Sequence, residues 1–353
     1  MATLKVLLLR THENLLILQE REAKHGGNAP LELLNQIRDH QAAIELIDQA
    51  LSTELTEKGL KELKEALRPL LVASNVEQLD LDQVKLETPH LPFEPETVLI
   101  PAGPFLMGSP PGDNIPAEEM PQHEVTLPAF QIGRYPITNA QYAEFIKREK
   151  QQEPPKKTGW FLREPPTDKL DHPVVGVSWE DALAYCRWLS GQTGRSYRLP
   201  TEAEWEKAAS WAEESGGAEE RRGRGAGEKR HYPWGNVWEV GRCNFGSDDT
   251  TPVTAFPSGI SFYGCCDMLG NVQEWTSTLW GSDPKENLFP YPYHAGDGRE
   301  EAKPSHLHRV YRVYRGGSFR DEPAKLRCTV RGNSDPESKI RWRGFRVVWD
   351  IST

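Results

Sequence analysis

The stretch Arg198-Leu199-Pro200-Thr201-Glu202-Ala203-Glu204-Trp205-Glu206 sets the pattern for most of this chain. Thr201 followed three residues later by Glu204 is a capping box, in which the hydroxyl accepts a backbone N–H and the carboxylate reaches back. A helix is therefore expected from Glu202 to about Trp211, with Trp205 as an aromatic anchor. The same spacing recurs at Thr138 with Gln141 and at Ser178 with Asp181, the latter opening a helix from Trp179 to Ser190. Around these helices lie short strands and long loops. Residues 212–230, rich in glycine and charge, read as a mobile surface insertion.

The composition agrees with this pattern. At ~150 residues per domain, 353 residues suggest two domains. Hydrophobic residues make up 37% and charged residues 27%, which excludes a membrane-embedded or wholly disordered chain. Gly 29, Pro 28 and Trp 11 describe a loop-rich protein with heavy aromatic anchors, not a plain helical bundle. A net charge of −10 argues against a nucleic-acid partner, which wants a basic footprint. No apolar run approaches the ~20 residues of a membrane span, and Val6-Leu7-Leu8-Leu9 is too short for a signal-peptide core. Cys186, Cys243, Cys265, Cys266 and Cys328 lack CxxC spacing, so neither a disulfide framework nor a zinc ribbon is indicated. The expected location is cytoplasmic, with no membrane partner.

Residues 1–80 follow a different pattern. Leu31, Leu34, Ile37, Ile44, Ile47 and Leu51 recur at helical spacing, and Pro30 opens that helix after the Gly26-Gly27 break. Further helices are expected over His12–Lys24 and Thr56–Leu71. Together they form a small antiparallel adaptor domain whose apolar remainder suits a protein partner. His12, His25 and His40 share no face at metal-ligand spacing and read as surface residues. Residues 81–96, including Thr88-Pro89-His90-Leu91-Pro92-Phe93-Glu94-Pro95, are a Pro-rich linker to a second domain over 97–353.

That second domain carries nine segments in a characteristic order. They are Leu99–Ser109, Pro121–Val125, Tyr135–Asn139, His172–Val175, Arg198–Glu206, Tyr232–Asn236, Gly270–Trp275, Arg315–Ser318 and Gly344–Arg346. In order and spacing they resemble the formylglycine-generating enzyme (sulfatase-modifying factor) family. The resemblance implies an α+β variant of the C-type lectin fold with much irregular structure, preceded here by the small all-α domain. Gly316-Gly317 and Gly344 stand where strands need φ > 0 or close backbone approach. Val313-Tyr314-Arg315 and Phe345-Arg346-Val347-Val348-Trp349 alternate like paired strands.

In the family's oxidase, two cysteines after Gly-Gly-Ser bind copper, and one engages the substrate. Counted from Gly316, the matching positions hold Asp321 and Leu326, and the nearest thiol is Cys328. One cysteine does not supply two ligands, so no catalytic residue is assigned and no copper is expected. A second branch performs iron-dependent sulfoxide synthesis with an HxxxHxE cluster that this chain lacks, so iron is not expected either. His306-Leu307-His308 is the closest metal-like pair but has no evident third ligand. The paired acids Glu118-Glu119 and Asp248-Asp249 read as solvated turns.

The resemblance also implies a calcium site in which Asp267 and Glu274 supply carboxylates and Gly270 and Val272 supply carbonyls, a hard-oxygen set suited to Ca²⁺. A further branch comprises the variable proteins of diversity-generating retroelements, whose C-terminal segment displays exchangeable side chains for ligand binding. The positions between the frame residues here are Arg320, Asp321, Glu322, Ala324, Lys325, Val330, Gly332, Ser334, Asp335, Glu337, Ser338, Ile340, Arg341 and Trp342. Arg341 and Trp342 are the expected anchors. The expected function is recognition of a protein or other macromolecular ligand through this segment. The alternative is a metal-dependent oxidase of the same superfamily.

Overall fold

The computed structural model describes residues 4–25, 28–51, 57–71, 91–112, 115–156, 158–213, 227–304 and 309–351. The chain divides into two compact units, Met1–Pro89 with Ile351–Thr353, and His90–Asp350.

The first unit holds α1 (Leu4–Lys24), α2 (Leu31–Leu51) and α3 (Glu57–Leu71). Helix α2 has the expected bounds, whereas α1 begins well before His12. Ala43, Ile47 and Ala50 of α2 pack with Leu7 of α1 and with Leu60, Leu63 and Leu67 of α3. His25 is exposed as expected, but His40 is buried. Its Nδ1 donates to the Gln36 carbonyl one turn back (2.9 Å), which lets the ring sit inside the bundle. Ile17, Leu31 and Leu34 stay exposed.

The second unit is built on two four-stranded sheets. The first runs β1 (Thr97–Ile100), β4 (Phe130–Gly133), β12 (Val348–Asp350), β5 (Tyr197–Arg198), all antiparallel neighbours. The second runs β10 (Arg331–Ser334), β9 (Tyr311–Arg315), β8 (Gln273–Gly281), β11 (Arg343–Gly344), and its last pair is parallel. Strands β2 (Gly103–Met107) and β3 (His123–Leu127) form a separate hairpin. The alternating segments noted at 313–315 and 345–349 do not pair with each other. Phe345, Arg346 and Val347 are all buried, and the strand starts only at Val348, in the other sheet.

All three capping boxes form, opening α4 (Asn139–Arg148), α5 (Trp179–Thr193) and α6 (Glu202–Ser210). Helix α6 ends at Ser210 because Trp211 turns extended into β6 (Trp211–Glu213), which pairs with β7 (Gly227–Lys229). The ends of the expected loop are thus a strand ladder, and residues 214–226 lie outside the described residues. Two aromatic cores fill the unit. Trp205 packs with Phe105, Phe130, Met268 and Tyr291, while Tyr142, Phe145, Tyr185, Trp275 and Phe345 form the other. Gly316 and Gly317 have φ of 94° and 69°, and a Cβ on Gly344 would lie 2.3 Å from the Val174 carbonyl.

Candidate functional site

Helix α6 projects Glu202 and Glu206, one turn apart, into the interior, where burial demands a partner for each carboxylate. Arg331, at the start of β10, holds Glu202 in a fork, with Nε and Nη2 each donating at 2.7 Å. Arg315, at the end of β9, bonds Glu206 and lies 3.5 Å from Glu202. Lys229 of β7 and the Gly108 backbone N–H (2.7 Å) complete Glu206. Burial pushes the Glu206 carboxyl upward, but Lys229 and Arg315 outweigh it and hold its pKa at about 2. Glu202 and Glu206 are therefore positioning groups: they fix where β9 and β10 present Arg315 and Arg331.

Those two arginines help line an open cleft of about 360 Å³. One wall is Pro116, Glu118 and Glu119, the floor includes Gln273, Tyr314 and Gly316-Gly317, and the far wall runs from Asp321 through Lys325 and Arg327 to Gly332. Of the predicted binding residues, Asp321, Ala324, Lys325, Val330 and Gly332 meet here. Arg320 stacks on Trp342 instead, with its guanidinium carbon 4.5 Å from the ring centroid. Arg341 lines a second cleft of about 370 Å³ with Asp168, Lys169, Asp249 and Phe319. Asp335 accepts from Arg309 and from the Glu337 backbone, both at 2.9 Å. Glu322 is exposed, and Ser334, Ser338 and Ile340 are half-buried. The predicted residues are thus divided between two clefts and the surface around them.

None of the fourteen predicted positions is buried, whereas of the frame residues Phe319, Leu326, Cys328, Arg331, Gly344, Phe345 and Arg346 are buried and Pro323, Arg327 and Pro336 are half-buried. Two of the fourteen are tied to the scaffold. Asp321 Oδ2 accepts from the Ser318 N–H (2.9 Å) and hydroxyl (2.8 Å) and so closes the turn after Gly317. Gly332 lies against the Tyr314 ring, where an added Cβ would come within 2.2 Å of Cζ. Position 332 is therefore set by packing, contrary to its expected role as a free contact. Glu119, expected in a solvated turn, is buried, because Arg327 Nη2 (2.7 Å) and Thr329 Oγ1 (2.6 Å) close on its carboxylate. The Pro116–Glu119 wall and Tyr314 carried no signal in the sequence, since only the fold brings them to the C-terminal segment.

The residues present do not fit the family's copper pair. Asp321 is spent on its turn, Leu326 packs under Gly317, and burial pushes the Cys328 thiol up to about 12. Among the described residues no three His, Cys, Asp or Glu side chains converge as a metal centre. His306 and His308 lie outside the described residues.

The expected calcium ligands are arranged differently as well. Arg346 Nε donates to Glu274 Oε2 (2.6 Å) and Nη2 to Oε1 (2.7 Å), and Trp205 Nε1 adds a third bond (2.9 Å). Asp267 accepts from Asn271 Nδ2 (2.8 Å), and burial raises its carboxyl pKa to about 7. A divalent ion among Asp267, Gly270, Val272 and Glu274 would face a buried guanidinium. This donor set does not fit Ca²⁺, because the charge of Glu274 is already answered from within the chain.

Residues 85–351 match the Sulfatase-modifying factor enzyme 1-like domain, which covers the whole second unit. The chain belongs to this family. It is 32% identical over 321 residues to the serine/threonine-protein kinase pkn1 of Chlamydia caviae, covering 86% of this chain and 46% of that protein. It is 33% identical over 287 residues to the hercynine oxygenase of Mycolicibacterium smegmatis, covering 72% and 61%. Among solved structures, PvdO from Pseudomonas aeruginosa superposes with a TM-score of 0.55 at 27% identity, covering 74% of this chain and 97% of that one. The chain spans about half the length of its chlamydial relatives. The relatives thus carry names of different activities, and the chemistry of this chain has to be argued from its own cleft.

Proposed function

We propose that this family member is a non-catalytic recognition protein that binds a protein ligand in the cleft between the Pro116–Glu119 wall and the 321–332 segment. The observation that carries this reading is the division of the C-terminal segment into a mostly buried frame and solvent-reachable intervening side chains. A rigid frame lowers the ordering cost of binding, and exposed Lys325 with half-buried Arg327 supplies contact energy. In the narrower form of the proposal the chain is a variable protein of a diversity-generating retroelement, with the helical unit coupling recognition to a protein partner. Sibling genes differing only at the intervening positions support that form, and uniform drift removes it.

The competing reading is an oxidase, favoured by the 33% identity to a hercynine oxygenase. Two measurements separate them. Elemental analysis of the purified chain should return no stoichiometric copper or iron. A displayed random-peptide library panned on the chain should enrich clones that lose binding to a Lys325→Glu, Ala324→Trp variant. Bound copper or iron with oxygen consumption, or no enrichment at all, overturns the proposal.

A further inference from the structure

Beneath the cleft, Glu202, Glu206 and Asp297 answer Lys229, Arg299, Arg315 and Arg331, and Glu300 adds a fourth carboxylate close to Glu202. Arg343 lies one layer further in, against two floor residues. It sits 4.0 Å from the Tyr314 ring centroid, and its Nε (3.2 Å) and Nη2 (2.9 Å) donate to Gln273 Oε1. Among the described residues it bonds no carboxylate, and its Nη1 is buried without a partner. A buried guanidinium answered by a neutral amide and by the Trp275 and Tyr314 ring faces, with no carboxylate, leaves positive charge behind the floor.

No acid of the cleft is bonded to Arg343. Glu119 is closed by Arg327 and Thr329, and the Asp321 carboxylate is turned onto Ser318. Glu118 and Lys325 are both exposed.

We propose that the cleft seats a carboxylate of an acidic peptide segment, against Gln273 and Lys325. The proposal rests on the reading above that this cleft binds a protein ligand, and adds the chemical class of the contact. The donors at hand are the Gln273 amide and one lysine, not an open guanidinium fork. That inventory suits a singly charged carboxylate better than a phosphate, which presents three strong acceptor oxygens.

The test is fluorescence anisotropy with the full chain and labelled Gly-Ser peptides carrying glutamate, phosphoserine, lysine or no charged residue. The glutamate peptide should bind at least about tenfold tighter than the uncharged one and weaken as salt rises. Gln273→Glu, nearly isosteric, places a carboxylate on Arg343. It should weaken glutamate-peptide binding about tenfold while leaving the thermal midpoint unchanged or raised, an outcome a misfolded variant would not give. Lys325→Glu should weaken it in the same direction.

Equal binding of all peptides, still sensitive to Lys325→Glu, overturns the acidic preference and leaves protein recognition in this cleft standing. Binding of the phosphoserine peptide alone overturns the carboxylate assignment. Acetate that protects the wild type but not Gln273→Glu, with no peptide bound, overturns the peptide ligand itself.

Discussion

Arg346 grips Glu274 through two hydrogen bonds of 2.6 and 2.7 Å, joining the Gly344-Phe345-Arg346 segment to the strand that begins at Gln273. Both side chains are fully buried, and Arg346 also donates to the carbonyls of Gly133 and Cys266. The pair therefore ties the two sheets to the turn before β8. Removing one partner of a buried pair strands the other, which costs about 3–5 kcal/mol. Glu274→Gln should lose stability on that scale in urea denaturation. Glu274→Leu combined with Arg346→Met should recover part of the loss, because no lone charge remains. Full additivity of the two changes would mean that the pair is not coupled.

The same pair decides the response to calcium. A ligand that binds only the folded state raises stability with the logarithm of its concentration. Because Arg346 already occupies both oxygens of Glu274, neither millimolar CaCl₂ nor a chelator should move the thermal midpoint. A midpoint that climbs steadily with calcium would show that the ion displaces the guanidinium.

Close backbone approach makes a third prediction. A Cβ at Gly344 would meet the Val174 carbonyl at 2.3 Å, and a backbone atom has no rotamer into which to retreat. Gly344→Ala should cost at least ~2 kcal/mol. At Gly332 the obstacle is the half-buried Tyr314 ring, which swings more easily, so Gly332→Ala should cost less. Gly296, with nothing within 4 Å, is the control and should stay within ~0.5 kcal/mol. Equal losses at 344 and 332 would mean that Tyr314 is as fixed as backbone.

Local chemistry made the three capped helices legible from the sequence, since a capping box is complete within four residues. The double glycine before Ser318 was legible for the same reason. What escaped were relationships between distant segments. Glu119 looks like a turn residue until Arg327 and Thr329 fold over it. Glu274 looks like a cation ligand until Arg346 reaches it from 72 residues away. The exposure of the intervening C-terminal positions followed from the frame, but their division between two clefts did not. Nothing in a linear pattern says that Arg341 and Lys325 line different cavities.

His123 and Glu206 should each give up stability in acid, in separate pH windows. His123 Nδ1–H donates to the Pro121 carbonyl (2.8 Å), and its Nε2 accepts from the Tyr293 N–H (2.7 Å), so the folded state needs the neutral ring. Burial lowers its pKa below 6.5. Nearby Glu206 pulls the other way, Lys229 and Arg299 reinforce the shift, and the Tyr291 ring packs edge-on at 4.9 Å. A depressed histidine contributes stability that is complete above pH 6.5 and is lost as pH falls through the lowered value. Glu206 contributes stability that is complete above its ordinary 4.5 and is lost toward its folded value of about 2. His123 should therefore take stability away below pH 6.5 and Glu206 below 4.5, while His172, also lowered by burial, adds to the upper loss and Asp267, raised to about 7, opposes it. In His123→Gln, whose amide still accepts from Tyr293, the thermal midpoint should fall less between pH 6.5 and 4.5 than in the wild type, with the decline below 4.5 unchanged. Equal falls in the two proteins over that window would assign the upper loss to another group.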